Sequence, residues 1–181
     1  MNKALFLDRD GVININHGHV GSIDRFNFYI EIFKIVKFMK SKGFKIIIIT
    51  NQAGIAKGYY TEEDFLFLTD WMLKKFRENN AHIDKVFYSP YHPTHGIGKY
   101  LKDDYSRKPN PGMLLKAKEI FNLDMPNSYL IGDKMTDILA GINANIKNNL
   151  ILGSDSNLNV DNKQYTRFEN HNQILSYLKS I

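Results

Sequence analysis

Paired carboxylates directly follow a short apolar run near the start of this sequence. Asp8 and Asp10 come after Leu5-Phe6-Leu7 and before Gly11. Because side chains alternate along an extended chain, we expect Asp8 and Asp10 to point the same way and Arg9 the other way. Neighbouring carboxylates repel each other unless a cation or a shared proton compensates the charge, and Mg²⁺ prefers such oxygen ligands. Taken alone, the pair is equally typical of an ordinary turn after a strand.

Later stretches of the chain carry complementary chemistry. The apolar run 46–49 is followed by Thr50, whose hydroxyl can donate a hydrogen bond, and another apolar run ends in Gly132 followed by Asp133. Arg107 and Lys108 place adjacent cations just ahead of a predicted helix. A lone lysine is more often solvated than buried. The set of carboxylate, hydroxyl and cationic side chains therefore supports a functional site better than Lys108 does by itself.

The elements that must position these groups alternate between strands and helices. Strands are predicted over residues 3–7, 44–50, 86–88, 128–131 and 150–152, and helices over 30–42, 61–78, 111–122, 134–143 and 172–181. This order indicates an α/β fold with three layers, α/β/α, and a mostly parallel sheet. Such sheets bind ligands at the carboxyl ends of their strands, where all the candidate groups fall.

The segments between these elements indicate one domain. We expect a single domain over residues 1–181, with a flap at 11–25 and a long functional loop at 89–107. The gap between Asp10 and Thr50 is too short for a separate cap domain. Residues 154–170 are polar and weakly patterned, and Asn110 with Pro111 predicts the start of helix 111–122.

Composition and charge narrow the class of protein. The chain has 181 residues, of which 43% are hydrophobic and 24% charged, and these are globular values. The net charge of +5 suits an anionic partner, but no basic run indicates a nucleic-acid site. No apolar run is long enough to span a bilayer, and the first residues do not resemble a signal peptide. Since cysteine is absent, disulfides and thiolate metal sites are excluded, and a cytoplasmic location is expected.

The candidate groups resemble, in type and order, the motifs of haloacid-dehalogenase-type (HAD-type) phosphatases. The stretches that carry the resemblance are Asp8-Arg9-Asp10-Gly11, Thr50-Asn51-Gln52-Ala53-Gly54, Arg107-Lys108-Pro109 and Gly132-Asp133-Lys134. The resemblance extends from residue 5 to about residue 152. It implies a HAD-like Rossmannoid fold without a large cap domain and a Mg²⁺-dependent phosphatase that works through an aspartyl-phosphate.

The resemblance also implies a role for each motif residue. Asp8 is the implied nucleophile, and Asp10 the group that protonates the leaving alcohol and later takes a proton from water. Thr50 would donate a hydrogen bond to a phosphoryl oxygen, and Lys108 would neutralise the concentrated negative charge.

The implied cofactor is Mg²⁺. The expected ligands are Asp8, Asp10 and Asp133. Asp137, one helical turn after Asp133, would orient either Asp133 or Lys134.

A finer resemblance is to bacterial D-glycero-D-manno-heptose 1,7-bisphosphate 7-phosphatases and the related histidinol-phosphate phosphatases. It implies a small phosphorylated sugar that loses its 7-phosphate, with histidinol phosphate or a nucleic-acid 3′-phosphate as alternative substrates. Arg107 would hold the second phosphate, because a forked guanidinium matches an oxyanion. The expected substrate contacts are Asn16, His17, Gly18, His19, Thr50, Asn51, Gln52, Ala53, Arg107, Lys108 and Lys134.

The long loop departs from this family. Such enzymes often hold zinc through cysteine and histidine at positions that correspond here to Ser89, Tyr91, Asp104 and Ser106. Of these only Asp104 is a plausible zinc ligand, so we expect no structural zinc and a loop held by its own contacts. An alternative hard-ligand site could use His92, His95, Asp103 and Asp104.

A second class of function is compatible with the same fold, since a fold does not determine an activity. The chain could be a non-catalytic domain that binds anions or nucleic acid. Because both carboxylates of the first motif are present, we expect an enzyme instead. We also expect it to be a monomer that acts on a small molecule and has no nucleic-acid or membrane partner.

Overall fold

A parallel β-sheet organises this protein. The computed structural model describes residues 1–154 and 161–180, and within them six strands form one sheet in the order β3-β2-β1-β4-β5-β6, with every neighbouring pair parallel. The strands are β1 Ala4–Leu7, β2 Lys45–Asn51, β3 Lys85–Ser89, β4 Tyr129–Gly132, β5 Asn148–Leu152 and β6 Thr166–Phe168.

The first strand lies in the middle of the sheet because its residues are apolar and buried on both faces. Leu7, its last residue, pairs with Ile48 of β2 on one side and with Ile131 of β4 on the other. The chain runs outward from β1 through β2 to β3 and then crosses to β4, so the winding direction changes between β1 and β4. This switch point leaves a crevice at the carboxyl ends of the central strands.

Helices cover both faces of the sheet, which confirms the predicted three-layer α/β/α fold. They are α1 Glu31–Ser41, α2 Ala53–Ala56, α3 Glu62–Glu78, α4 Gly112–Phe121, α5 Met135–Asn143 and α6 His171–Lys179. Ile46 and Ile48 of β2 pack into the core with α1, α3 and α6, whereas Ile47 and Ile49 pack with α4 and α5. No helix among residues 1–154 and 161–180 combines the length and apolar character needed to cross a membrane.

One local prediction was wrong, and one strand was not predicted. Asn110 does not cap α4, since the helix begins at Gly112 with Pro111 at the N-cap position and without a side-chain cap. The polar stretch 154–170 contains β6, a short edge strand whose Thr166 pairs with Leu150. Residues 155–160 of that stretch lie outside the described residues. Thr61 caps α3, because its side chain accepts from the Asp64 N–H and the Asp64 carboxylate accepts in return from the Thr61 N–H.

The flap, residues 11–25, is irregular but anchored. Isolated β-bridges join Asn14 to Asp10 and to Phe28. The Arg25 guanidinium donates through Nη2 to the carbonyls of His17 and Gly18, at 2.8 Å and 3.0 Å. These contacts hold the tip of the flap, where Gly18 and His19 both have positive φ angles.

The long loop 89–107 is ordered by its own hydrogen bonds and by contacts to α2 and α3, among them the Ile97 N–H, which donates to the Ala56 carbonyl at 2.8 Å. The hydroxyls of Tyr88, in β3, and Tyr100, in the loop, both donate to the Glu62 carboxylate, at 2.6 Å and 2.8 Å. Together they tie the loop and β3 to the start of α3.

The positions that correspond to zinc ligands in the resembling family contact one another. Ser106 Oγ lies 3.0 Å from Ser89 Oγ and 2.7 Å from Asp104 Oδ1. Asp104 also forms an ion pair with Lys102 at 2.7 Å. Tyr91 takes part through its backbone, since its carbonyl accepts from the Arg107 guanidinium at 3.0 Å.

The alternative hard-ligand site in this loop has no support. Across the described ranges, the ligand atoms of His92, His95, Asp103 and Asp104 do not converge as a metal-binding group. The rings of His92 and His95 lie edge to face, with centroids 5.0 Å apart. His92 Nδ1 instead accepts from the backbone N–H groups of Thr94 and His95, at 3.2 Å and 3.1 Å.

Candidate active site

Lys108 lies at the centre of a buried charge cluster. Its ammonium group is 2.6 Å from Asp8 Oδ1 and 2.6 Å from Asp137 Oδ1, and it donates to the Ile49 carbonyl at 2.9 Å. Lys108 is only 3% exposed, so the solvated lysine considered from the sequence is wrong. Burial alone would lower the pKa of Lys108, but Asp137 and Asp8 together raise it above its ordinary value. The lysine therefore stays charged in a place that a lone cation could not occupy.

Backbone contacts from the central strands position this cluster. The Asp8 N–H donates to the Ile131 carbonyl of β4 at 3.0 Å. Asn51, at the end of β2, uses its side-chain amide on both sides of the Lys108 backbone, donating to the carbonyl and accepting from the N–H at 3.0 Å each. Asp137 accepts from the Lys134 N–H at 3.0 Å, which fixes it in the first turn of α5. The cluster is thus built on strand ends and one helix start.

Asp133 adds a third carboxylate to the cluster. Asp8, Asp133 and Asp137 each offer an oxygen, and these oxygens lie within 4.8 Å of one another. Asp133 Oδ1 is buried and has no hydrogen-bond partner. Gly11 makes room for this carboxylate, since a Cβ at its φ of +100° would lie 2.1 Å from Asp133 Oδ2.

The electrostatics of the three carboxylates favour a cation. Burial, together with the charge of Asp137, raises the pKa of Asp8 to about 6 against the opposing effect of Lys108. Burial, with the nearby charges of Asp8 and Asp137, raises the pKa of Asp133 to about 8. The three carboxylates converge, and one of them has a buried oxygen without a hydrogen-bond partner. This arrangement fits a hard divalent cation such as Mg²⁺.

Asp10 stands apart from that cluster. Its carboxylate accepts from the Arg9 guanidinium at 2.9 Å, from Asn14 Nδ2 at 3.0 Å and from Gln52 Nε2 at 3.1 Å. Since β1 ends at Leu7, strand alternation does not extend to residues 8–10. The expectation that Arg9 faces away from Asp10 was therefore wrong.

Thr50 and Gln52 continue this network from the end of β2. Thr50 Oγ1 is buried and accepts from Gln52 Nε2 at 2.8 Å, and Gln52 Oε1 accepts from the Tyr60 hydroxyl at 2.6 Å. Burial raises the pKa of Tyr60 to about 12, which keeps its hydroxyl protonated as a donor. Tyr60 was missed by the sequence reasoning because no motif surrounds it. Gly21 and Gly54 make room for it, since a Cβ at either position would lie 2.3 Å from the Tyr60 ring.

A cavity of about 490 Å³ opens above these side chains. Most of the predicted site residues line it: Asp8, Asp10, Asn16, Gly18, His19, Asn51, Gln52, Ala53, Arg107, Lys108 and Lys134. Tyr60, Thr136 and Asp137 line it as well.

Three predicted site residues lie off this cavity wall. His17 instead contacts Asn27, with 2.9 Å between its Nε2 and Asn27 Oδ1. Thr50 is buried behind Gln52. Asp133 lines a neighbouring cavity of about 480 Å³ that also reaches Gly11.

The outer wall of the main cavity is basic. Arg107 and Lys134 line it together with His19, whose ring packs at a tilt of 53° against Tyr59 with centroids 4.8 Å apart. Burial and the nearby charge of Lys57 lower the pKa of His19. The cavity therefore has an acidic floor around Lys108 and a cationic outer wall, an arrangement that suits a ligand with more than one anionic group.

Known proteins resemble this chain in sequence. A family model described as HAD-hydrolase-like matches residues 105–172. A D-glycero-alpha-D-manno-heptose-1,7-bisphosphate 7-phosphatase of Burkholderia mallei is 49% identical over 83% of this chain and 80% of its own. A D-glycero-beta-D-manno-heptose-1,7-bisphosphate 7-phosphatase of Pasteurella multocida is 41% identical over 93% of this chain and 91% of its own.

A solved structure supports the same fold. The D,D-heptose 1,7-bisphosphate phosphatase of B. bronchiseptica, complexed with magnesium and phosphate, superposes with a TM-score of 0.83 over 98% of both chains at 21% identity. At that identity the likeness concerns the fold. The sequence relatives, by contrast, are at least 41% identical over most of both chains, and the chain therefore belongs to the HAD-like phosphatase family that includes these heptose-bisphosphate 7-phosphatases.

Proposed function

We propose that this protein removes the 7-phosphate of D-glycero-D-manno-heptose 1,7-bisphosphate in a Mg²⁺-dependent reaction that passes through an aspartyl-phosphate. The observation that carries the proposal is the contact of Lys108 with Asp8 at the floor of a cavity whose outer wall is basic. The names of the sequence relatives support this substrate, with either anomer represented among them.

Asp8 acts as the nucleophile in this proposal. One of its carboxylate oxygens attacks the phosphorus atom, the bond from phosphorus to the sugar oxygen breaks, and Asp10 gives a proton to the departing alkoxide. In the second step Asp10 takes a proton from a water molecule that attacks the aspartyl-phosphate. This step releases inorganic phosphate and regenerates the Asp8 carboxylate. Lys108 neutralises charge on Asp8 and on the phosphoryl group throughout.

The metal-ligand proposal rests on Asp8 and Asp133, since both belong to the carboxylate cluster and Asp133 Oδ1 lacks a partner. Asp10 stays a predicted ligand, although its carboxylate is occupied by Arg9, Asn14 and Gln52. When bound, Mg²⁺ would offset the negative charge of the phosphoryl group. Zinc in the long loop is not part of the proposal, because the hydroxyl contact between Ser106 and Ser89 takes the place of thiolate ligands.

The second phosphate and the sugar occupy the outer cavity in this proposal. Arg107 and Lys134 supply cations on its wall, and Asn16, Gly18 and His19 approach from the flap. Asn51 is restricted as a substrate contact because both ends of its side-chain amide bind the Lys108 backbone. Thr50 and His17 lie off the cavity wall and remain predictions. A single domain, a monomeric state and a cytoplasmic location also remain predictions.

Substrate turnover tests the proposal. The purified protein with Mg²⁺ should release phosphate from the heptose bisphosphate. The specificity constant, kcat/KM, should be at least about ten-fold higher than for histidinol phosphate or a DNA 3′-phosphate, because these substrates lack one well-placed ionic contact and such a contact changes kcat/KM by about this factor. Both anomers should be assayed separately. Faster turnover of histidinol phosphate would identify that compound as the substrate instead. Salt-sensitive DNA binding without phosphate release would support the non-catalytic alternative.

The Asp8→Asn variant tests the nucleophile. It should abolish phosphate release, because a carboxamide cannot form the acyl phosphate. Asp70→Asn is the matched control, since Asp70 is exposed on α3. Ordinary turnover by Asp8→Asn would remove Asp8 from its role.

A further inference from the structure

The buried cation Arg9 has no role in the chemistry described above. Its side chain is 1% exposed, and its guanidinium carbon lies 5.7 Å from the ring centre of Phe26 and 5.6 Å from that of Phe65. Phe26 directly follows the flap and Phe65 belongs to α3. A cation held between aromatic rings at this depth is costly to bury unless its donors bind acceptors.

The acceptors come from two different parts of the site. Arg9 Nη2 lies 2.9 Å from both carboxylate oxygens of Asp10, and Arg9 Nε lies 3.2 Å from Asp10 Oδ2. The same Nη2 donates to the Val20 carbonyl of the flap at 2.6 Å. One guanidinium nitrogen therefore contacts the proposed acid and the flap together.

The other side of the Asp10 carboxylate is also fixed. Gln52 Nε2 donates to Asp10 Oδ2, and Gln52 is itself held by the Tyr60 hydroxyl. Asp10 is thus held by Gln52, from the end of β2, by Arg9, and by Asn14 of the flap, whose Nδ2 donates to Asp10 Oδ1 at 3.0 Å. Any movement of the flap at Val20 changes the Arg9 contact and not the Gln52 contact.

We propose that Arg9 is a positioning residue that couples the conformation of the flap to the placement of the Asp10 carboxylate. The inference rests on the proposed function, in which Asp10 protonates the leaving oxygen. A planar guanidinium can bind a carboxylate and a carbonyl at once, whereas the single ammonium of a lysine cannot reproduce the fork. When the flap closes on a ligand, Val20 and Arg9 bring Asp10 into its working position.

The choice of leaving group separates this role from a purely structural one. A sugar phosphate needs proton donation to its leaving oxygen, whereas p-nitrophenyl phosphate has a good leaving group and needs little. In Arg9→Lys we expect kcat for the heptose bisphosphate to fall by about 100-fold or more, the size of a general-acid contribution. The kcat for p-nitrophenyl phosphate should change by only a few-fold.

Arg25→Lys is the matched control. Arg25 also lies in the flap and binds flap carbonyls, but it donates to His17 and Gly18 rather than Val20. It should affect both substrates to a similar, small extent. Equal losses on both substrates in Arg9→Lys, or no loss on either, would overturn the inference. A wild-type protein that releases phosphate from neither substrate would instead refute the proposed function.

A second measurement keeps the inference testable if Arg9→Lys does not fold. Coupling is reciprocal, so loss of the Asp10 charge should loosen the flap. With Mg²⁺ present, backbone hydrogen exchange in residues 18–26 should be about ten-fold faster in Asp10→Asn than in the wild type. A ten-fold change corresponds to the loss of a contact worth roughly 1.4 kcal/mol. Asp8→Asn is the control because Asp8 contacts Lys108 and not Arg9. Unchanged exchange in Asp10→Asn would refute the coupling.

Discussion

Lys108 and Asp8 form an ion pair of 2.6 Å although they are 100 residues apart in the sequence. Their side chains are 3% and 9% exposed, so the pair is shielded from water. Asp137 contacts the same ammonium group at 2.6 Å from α5. The nucleophile proposed here is therefore held by a cation that also ties the ends of β1 and β2 to the other half of the sheet.

Removal of the Lys108 charge should destabilise the fold. In Lys108→Met the carboxylates of Asp8 and Asp137 lose their shared partner while they remain buried. We expect the free energy of unfolding in urea to fall by about 3–5 kcal/mol, the usual cost of breaking a buried pair. Lys116→Met, an exposed position on α4, should change it by less than about 0.5 kcal/mol. Wild-type stability in Lys108→Met would show that the pair contributes little.

Magnesium should stabilise the folded protein through Asp133. A ligand at about 100 times its Kd adds about 2.7 kcal/mol to the free energy of unfolding, so Tm should rise when Mg²⁺ replaces EDTA. Asp133→Asn should lose most of this rise, because it removes charge from the cluster that contains the unpartnered Oδ1. Asp70→Asn should keep it. If Mg²⁺ raised the Tm of Asp133→Asn as much as that of the wild type, the ion would have to bind at another position.

Arg107 should affect bisphosphate use more than general phosphatase activity. Its guanidinium lines the cavity and donates to the Tyr91 carbonyl at 3.0 Å. In Arg107→Ala we expect KM for the heptose bisphosphate to rise by about 10–100-fold, the value of a charge-assisted contact. The KM for p-nitrophenyl phosphate should change little. An equal rise in KM for both substrates would mean that Arg107 instead orders the loop 89–107. A lower Tm of the variant would report that structural effect.

Glu62 should make stability depend on pH. The Tyr88 hydrogen bond, helped by that of Tyr100 and opposed by burial, lowers the pKa of Glu62 below its ordinary value of 4.5. A lowered folded-state pKa stabilises the protein above pH 4.5, and this contribution disappears as pH falls through the folded-state pKa. Glu62→Gln should therefore be less stable than the wild type by about 0.5–1 kcal/mol at pH 7.

The matched comparison for Glu62 is its exposed neighbour. Urea unfolding at a series of pH values should show the difference between the wild type and Glu62→Gln shrinking as the buffer becomes acidic. Glu63→Gln should show no such trend, since Glu63 is exposed. A difference that is constant with pH would assign the effect to packing rather than to the carboxylate charge.

The loop 89–107 should keep its order without zinc. A strong zinc chelator in the presence of Mg²⁺ should leave Tm unchanged, because the contacts of Ser106 with Ser89 and Asp104 need no metal. Ser106→Ala should lower the free energy of unfolding by about 1 kcal/mol. Ser22→Ala, whose exposed side chain caps nothing, is the control. A chelator-dependent fall in Tm would reveal a bound metal.

The sequence alone determined β1 to β5 of the sheet, the layers and most of the motif residues that line the cavity. Apolar runs and helical spacing are local properties, and several candidates lie at the end of a run that proved to be a strand: Asp8 follows β1, Thr50 lies near the end of β2 and Asp133 follows β4. Because the carboxyl ends of parallel strands meet at one edge, these local patterns were enough to bring Asp8 and Asn51 to the same cavity.

The tertiary structure decided which of these side chains contact one another. It placed Asp137 beside Lys108, turned Arg9 toward Asp10, and moved Asp10 out of the carboxylate cluster. β6 likewise exists because a polar segment finds an open sheet edge at β5. Sequence periodicity reports which face of an element is buried. The partner that each polar side chain meets depends on where distant segments end and how closely they pack, which only the folded chain determines.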